Sequence, residues 1–333
     1  MRKVAVATAG LALAAACGQG NAPRPTATTQ TCVEPGAPPA AAPTWERLKN
    51  PIYVLPDAAV KDVAVRLVNG RWQLLFSHVR ENPFRFRIGL TSSEDLLSWA
   101  PVRLWDQSEV GGVASPDVTR DRNGEYVVTY NSHTRDTDGL NKLYVRTSLD
   151  FRNWSPPRRL AFDVRPQATD RLIDAAVAHT DHGTFLAYNH LEDFFEVAWS
   201  PSGSLDGPWR RLGVADTGPF ENYQFLEIDG VWHVLGTTVP VHRELLYRLS
   251  GPPGDPQSWL HWDLVGELRV PQEAWNRPPG EVANAAFLCD ARPLDGHWYL
   301  FYAGSTELDR FGGRGYAKVG IARSTDLVRW EVP

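Results

Sequence analysis

The stretch Asp62-VAVRLVNGRWQLLFSH, ending at His78, sets the architecture, because its pattern returns four more times along the chain. An acid opens it, alternating apolar residues follow, a Gly-containing turn interrupts them, and an aromatic run closes it. Asp117-VTRDRNGEYVVTYNSH, Asp174-AAVAHTDHGTFLAYNH and Glu221-NYQFLEIDGVWHVLGT repeat the pattern, and Asn284-AAFLCDARPLDGHWYLFYAG follows it with a longer turn and no acid. Alternation with a period of two marks a half-buried strand, and a turn that accepts positive φ between two such runs makes a hairpin. Asn69-Gly70, Asn123-Gly124, His182-Gly183, Asp229-Gly230 and Asp295-Gly296 stand at those turns.

Each hairpin leads into a third strand and then a tryptophan signature: SSEDLLSW ending at Trp99, TSLDFRNW at Trp154, SGSLDGPW at Trp209, GDPQSW at Trp259 and RSTDLVRW at Trp330. Successive tryptophans lie 55, 55, 50 and 71 residues apart, a period that suits one four-stranded sheet per repeat. A single twisted sheet cannot bury both its faces, whereas radial stacking of several buries them all. The expected fold is therefore all-β, a five-bladed β-propeller with four antiparallel strands per blade. The tryptophans are expected to pack between blades, and residues 45–56 to add a strand that closes the ring.

Composition narrows the partners. The net charge of -5 is spread along the chain, so no basic stripe exists to neutralise phosphates, and nucleic acid is excluded as a partner. With 13 Trp, 10 Tyr and 13 Phe against one Met, the aromatic load suits sheets and sugar-stacking surfaces. Arg2 and Lys3 precede an apolar run over residues 4–16 that ends in small residues, the pattern of an export signal. At about 13 residues the run is shorter than the roughly 20 that span a bilayer as a helix. Leu13-Ala14-Ala15-Ala16-Cys17 resembles a bacterial lipobox with its Leu one residue early, so lipidation of Cys17 and ordinary cleavage both stay open.

The expected organisation is thus an export signal over 1–17, a Pro/Ala/Thr-rich tether over 18–44 and the propeller over 45–333, displayed at the cell surface as a lipoprotein or secreted, as a monomer. Outside the signal there are two cysteines, Cys32 in the tether and Cys289 in the last repeat. In an oxidising compartment they can close a bridge; two free thiols are the other reading.

In a propeller the innermost strand of each blade lines a central channel, so the residues that open the repeats converge on the axis. Carboxylates facing one pocket repel one another and raise at least one pKa, which gives the acid and base that glycoside hydrolysis needs. On these segments the chain resembles the five-bladed propellers of glycoside hydrolase families 43 and 62, the α-L-arabinofuranosidase, arabinanase and xylosidase group. The resemblance covers about residues 51–333. The base-bearing D-P motif of that group resembles Lys61-Asp62-Val63, with Val63 in the Pro position. Its A-P-D-V resembles Ser115-Pro116-Asp117-Val118, its I-D resembles Ile173-Asp174, and its acid-bearing fourth motif resembles Phe220-Glu221-Asn222-Tyr223.

The resemblance implies hydrolysis with inversion. Asp62 serves as the base that activates water, Glu221 as the acid that protonates the leaving oxygen, and Asp174 as the group that keeps Glu221 protonated. Asp117 is then a substrate contact. No cofactor is required. Members of family 43 often carry a Gly-His in the fifth blade that holds a central ion such as calcium, where this chain has Ala283-Asn284-Ala285; Asn284 is expected to meet substrate instead.

His78, His133 and His190 each end the second strand of their repeat, either around the pocket rim on sugar hydroxyls or as satisfied structural histidines. Their spacing does not suit a transition metal. Arg243, beyond the acid, is a candidate for a substrate hydroxyl or carboxylate. The glycine-rich run at 312–315 lies between strands and is expected to be a rim rather than a phosphate loop, and specificity is expected in loops such as 135–141 and 269–281.

The resulting expectation is a glycosidase that cleaves furanosyl or xylosyl linkages in an oligo- or polysaccharide. A surface propeller that binds glycan without cleaving it is the alternative, and a fructosidase or mannoside phosphorylase is a weaker third.

Overall fold

The computed structural model describes residues 32–33, 42–81, 83–105, 112–133, 142–161, 163–164, 171–190, 194–239, 241–307 and 317–333. The export signal, Cys17, most of the tether, the 135–141 loop and the 312–315 glycine run lie outside these residues.

Among the described residues eighteen strands pair antiparallel in chain order. The first sheet holds β1 (Ala59–Val68), β2 (Arg71–Glu81), β3 (Phe84–Ser93) and β4 (Arg103–Trp105), and the second holds β5 (Val113–Arg120), β6 (Tyr126–Ser132), β7 (Leu143–Ser148) and β8 (Arg158–Arg159). A seven-stranded sheet follows, with β9 (Leu172–Thr180), β10 (Gly183–His190), β11 (Phe194–Ser200), β12 (Arg210–Ile228), β13 (Val231–Thr238), β14 (Glu244–Leu249) and β15 (Trp262–Glu267). The last sheet has three strands, β16 (Asn284–Asp290), β17 (Trp298–Gly304) and β18 (Lys318–Ser324).

Five separate four-stranded sheets were expected; the described residues form four. The difference lies in β12, which runs for 19 residues and serves two hairpin units at once. Its first part pairs with β11 through Pro219, and its second part pairs with β13 from Phe220 onward. Among the described residues the last sheet has no fourth strand, and two other segments occupy that edge: Tyr53 bridges Val319 and Glu331 bridges Arg323. Asn50 fastens the N-terminal segment there, accepting from the Ile321 N–H at 2.9 Å and donating to the Ile321 carbonyl at 2.9 Å. Around the molecule β1 lies beside β5, β5 beside β9, β9 beside β12, β12 beside β16, and β16 beside β1, so the five leading strands form a circuit.

The hairpin turns follow their sequence. Asn69 and Gly70 both take positive φ, 50° and 74°, as Asp229 and Gly230 do at 50° and 80°, the pair of left-handed residues that a two-residue turn between twisted strands demands. The fifth turn departs from this. Its extra length forms one helical turn, Arg292–Asp295, ended by Gly296 in the left-handed region.

Three of the five tryptophan signatures are turns closed by an aspartate. Asp150 accepts from the N–H groups of Arg152 and Asn153 at 2.8 Å each, and Asp95 and Asp326 repeat the arrangement. The signature tryptophans do pack across units, since Trp154 meets Trp105 edge-on at 5.2 Å and the fully buried Trp259 stacks on Phe185 at 3.9 Å. The hydrophobic clusters likewise straddle unit boundaries, which ties every sheet to its neighbours.

A disulfide joins Cys32 to Cys289, whose Cα atoms are 4.9 Å apart. Both cysteines are buried, and Val33 pairs with Leu67 of β1, so the chain is pinned to the first and last sheets before β1 begins.

Candidate active site

All five leading strands break their pairing register close to their starts. The breaks lie between Lys61 and Ala64, between Ala114 and Asp117, opposite Ala187 and Asn189 in β9, between Glu221 and Gln224, and between Asn284 and Phe287. At each break one residue adopts a left-handed φ: Asp62 at 50°, Ser115 at 53°, Asp174 at 56°, Asn222 at 54° and Ala285 at 50°. Such a bulge adds a residue and re-aims the side chains beside it. Asp and Asn tolerate this conformation best among residues with a Cβ, and it recurs at functional sites. Here the five left-handed residues all line one pocket at the centre of the circuit.

This register corrects the equivalences read from sequence. Asp62 and Asp174 do occupy the same structural position. Asp117 stands two residues after its counterpart Ser115, and Glu221 and Asn284 stand one residue before theirs, Asn222 and Ala285. Asp62, Asp117 and Asp174 nevertheless line one pocket, while Glu221 is half-buried and sits just outside the lining, next to Asn222.

The crowding of charge falls on Asp174. It is 5% exposed, and burial first and the charge of Asp62 second push its carboxyl up to about 6. A hydrogen bond from the Ser115 side chain, the charge of Arg171 and the N–H of Asn222, 3.4 Å from Oδ2, pull it partway back. Asp117 is pushed up to about 7 by burial, against the pull of Arg66.

The remaining sequence candidates lie around this pocket rather than in it. His78 and His190 hold matching places, each opposite a residue just before the bulge region of its unit, Val60 and Leu172. Burial lowers the His78 pKa, and the Nδ1 of His190 lies 3.8 Å from Glu196, a buried carboxylate that also accepts from Tyr188 and Arg211. His133 does not match them. It lies two residues past Asn131, where His78 and His190 lie one past Ser77 and Asn189, and its ring packs edge-on against Phe86 at 4.3 Å. Arg243 is exposed in the β13–β14 turn.

Asn284 is buried, and its amide nitrogen lies 2.8 Å from Glu281 and 3.1 Å from the Nδ1 of His242. Burial alone would raise Glu281, but His242, Lys61 and Asn284 together bring it down to about 2. At the fifth unit Ala285 fills the left-handed position and the Asn284 amide nitrogen is turned to Glu281 and His242.

Several residues escaped the sequence reading. Ser115 and Asn222 share the bulge position with the two aspartates, and Glu244, buried and pushed up to about 7 by burial, accepts from Thr237 beneath the fifth bulge. The Asn-Tyr after Glu221 and the Ser-Pro before Asp117 were the available signals.

No family model matches the chain, and no curated protein matches its sequence. Solved structures do share its fold. The catalytic domain of a family 62 α-L-arabinofuranosidase from Coprinopsis cinerea superposes with a TM-score of 0.60 at 15% identity, covering 90% of this chain and 98% of that one. An α-L-arabinofuranosidase from Podospora anserina, solved with cellotriose, gives 0.59 at 13% identity over 89% and 97%. A xylan β-1,4-xylosidase from Bacillus halodurans gives 0.57 at 17% identity over 86% of this chain and 56% of its own. The fold that the sequence resemblance implied is the fold of these proteins.

Proposed function

We propose that the chain is a five-bladed propeller glycoside hydrolase that cleaves furanosyl or xylosyl linkages with inversion. The observation that carries this reading is the shared position of Asp62 and Asp174, two aspartates on equivalent left-handed bulges in one central pocket, with the charge of one raising the pKa of the other. Asp62 takes a proton from the attacking water. Glu221 gives its proton to the leaving oxygen from the pocket edge, and inversion calls for about 6.5–9.5 Å between these two carboxyls. Asp174 acts on Glu221 through the intervening main chain of Asn222, whose N–H its carboxylate accepts.

In the same reading Asp117 and Asn284 hold the floor and side of the sugar site, and His78, His190 and Arg243 its margin. The similar structures include two arabinofuranosidases and a xylosidase, which supports this substrate class. The buried Cys32–Cys289 bridge favours an exported protein, secreted or held at the membrane through Cys17.

The test is release of arabinose or xylose from aryl glycosides and arabinoxylan by the parent, Asp62→Asn and Glu221→Gln. The expected loss is at least about 10²-fold in kcat for each variant. Activity that survives both substitutions removes the mechanism. Because Glu221 lies outside the pocket lining, binding without hydrolysis is the second reading, and a parent that retains arabinoxylan on an affinity gel yet releases no sugar establishes it.

A further inference from the structure

The residue paired with the position before each bulge is the same in every unit by register: Ser77 opposite Lys61, Asn131 opposite Ala114, Asn189 opposite Ile173, Thr237 opposite Glu221 and Ala303 opposite Asn284. At three of these places the side chain reaches across the unit boundary and accepts the main-chain N–H of the next left-handed residue. Ser77 Oγ takes the N–H of Ser115 at 2.7 Å, Asn131 Oδ1 that of Asp174 at 3.2 Å, and Thr237 Oγ1 that of Ala285 at 3.0 Å. The other two boundaries differ. Between the third and fourth units the N–H of Asn222 goes to the carboxylate of Asp174, and at the ring's closure Ala303 has no side-chain acceptor to offer Asp62.

The clamps are therefore in series around the pocket. Asn131 is 1% exposed, and its own amide donates to the Ser132 carbonyl at 3.1 Å, which fixes its oxygen toward Asp174. Asp174, held by its N–H, in turn holds Asn222 by its carboxylate, and Glu221 is bonded directly to Asn222 in the chain. At Asp174 the bond to Asn131 opposes relaxation of this sparsely populated backbone conformation.

We propose that Asn131 is a positioning residue: by clamping the main chain of Asp174 from the neighbouring unit, it sets where the Asp174 carboxylate meets Asn222 and so where Glu221 stands. This rests on the roles given to Asp174 and Glu221 above. Ser77 shows that a serine at this place makes the same clamp, so Asn131→Ser is the conservative replacement and Asn131→Ala removes the acceptor. Val127→Ala, in the same strand and wholly buried, serves as a destabilising change without a clamp.

Two readouts are taken on all four proteins: kcat and KM on 4-nitrophenyl α-L-arabinofuranoside and β-D-xyloside, and the titration midpoint of Asp174 from ¹³C-carboxyl NMR, assigned against Asp174→Asn. Asn131→Ala is expected to lower kcat about tenfold with KM nearly unchanged, as misplacement of a working group does, and to shift the Asp174 midpoint upward as its hydrogen bonds loosen. Asn131→Ser and Val127→Ala are expected to keep the parent midpoint. An unmoved midpoint in Asn131→Ala overturns the clamp, as does an equal shift in Val127→Ala. A parent inactive on every glycoside sinks the enzymatic reading instead, and the titration still decides the clamp.

Discussion

The bulge in β9 and the bulge in β16 are built alike and loaded differently. Both place a residue with a Cβ in the left-handed region and both are held across a unit boundary by a polar side chain from the preceding unit. In β9 the residue is Asp174, whose carboxylate is crowded by burial and by Asp62. In β16 it is Ala285, which brings no functional group, and the charge lies underneath in Glu244. The contrast separates the scaffold from its chemistry: the backbone geometry repeats in every unit, and reactivity depends on which side chain occupies the repeated place.

The largest test of that separation is Asp174→Asn. If the β9 bulge exists to carry charge, the isosteric amide should lower kcat about 10²-fold or more while thermal stability holds or rises, because a buried carboxyl that resists ionisation is a cost to folding at neutral pH. Loss of stability along with activity would make Asp174 a structural residue, as Ala285 is.

A middle-sized effect is expected in stability against pH. Asp174, Asp117 and Glu244 have folded pKa values of about 6, 7 and 7, all above their ordinary values of 3.8, 3.8 and 4.5. Groups raised in this way favour the folded state fully below their unfolded pKa and lose that contribution as pH rises through the folded one. Glu281 and the turn aspartates Asp95, Asp150 and Asp326 are shifted down and act oppositely, weakening the fold as pH falls below about 4.5. Buried His179, with His78 and His233, is shifted down and offsets part of that loss below about pH 6.5. Urea melts should therefore show maximal stability near about pH 4.5 and a decline from there to about pH 7, with a shallower decline in Asp117→Asn. A curve that rises from pH 5 to 8 would contradict the burial of these acids.

The smallest effect is expected at the β16 bulge itself. Ala285→Gly should stabilise the protein by about 0.5–1 kcal/mol, since glycine adopts φ of 50° without the Cβ penalty. Measurable activity loss in that variant would show that Ala285 does more than complete the ring.

Much of this was legible in the sequence, for reasons that name its limits. Alternation and Asn-Gly turns located the hairpins because both are local signals, and the tryptophan turns were legible for the same reason. The bulges were not, since one inserted residue leaves the apolar pattern almost intact while it moves every later side chain to the other face. That slip misaligned Asp117 by two residues and Glu221 and Asn284 by one, and it grouped His133 with His78 and His190. The fusion of two units through β12 and the bridge from Tyr53 to the last edge depend on long-range pairing, which no short window contains. Cys32 and Cys289 could be counted, but their pairing depended on Val33 lying beside Leu67 of β1.

That pairing also determines how the molecule would bear a load. Tension applied between the two ends of the chain passes from residue 32 through the sulfur bridge to residue 289 and on to the C-terminus, because the chain between these cysteines, 257 positions apart in sequence, forms a covalent loop in parallel with the bond. The first four units and all three aspartates of the pocket lie inside that loop. A tug on the segment before Cys32 would strain the last sheet and leave the site slack.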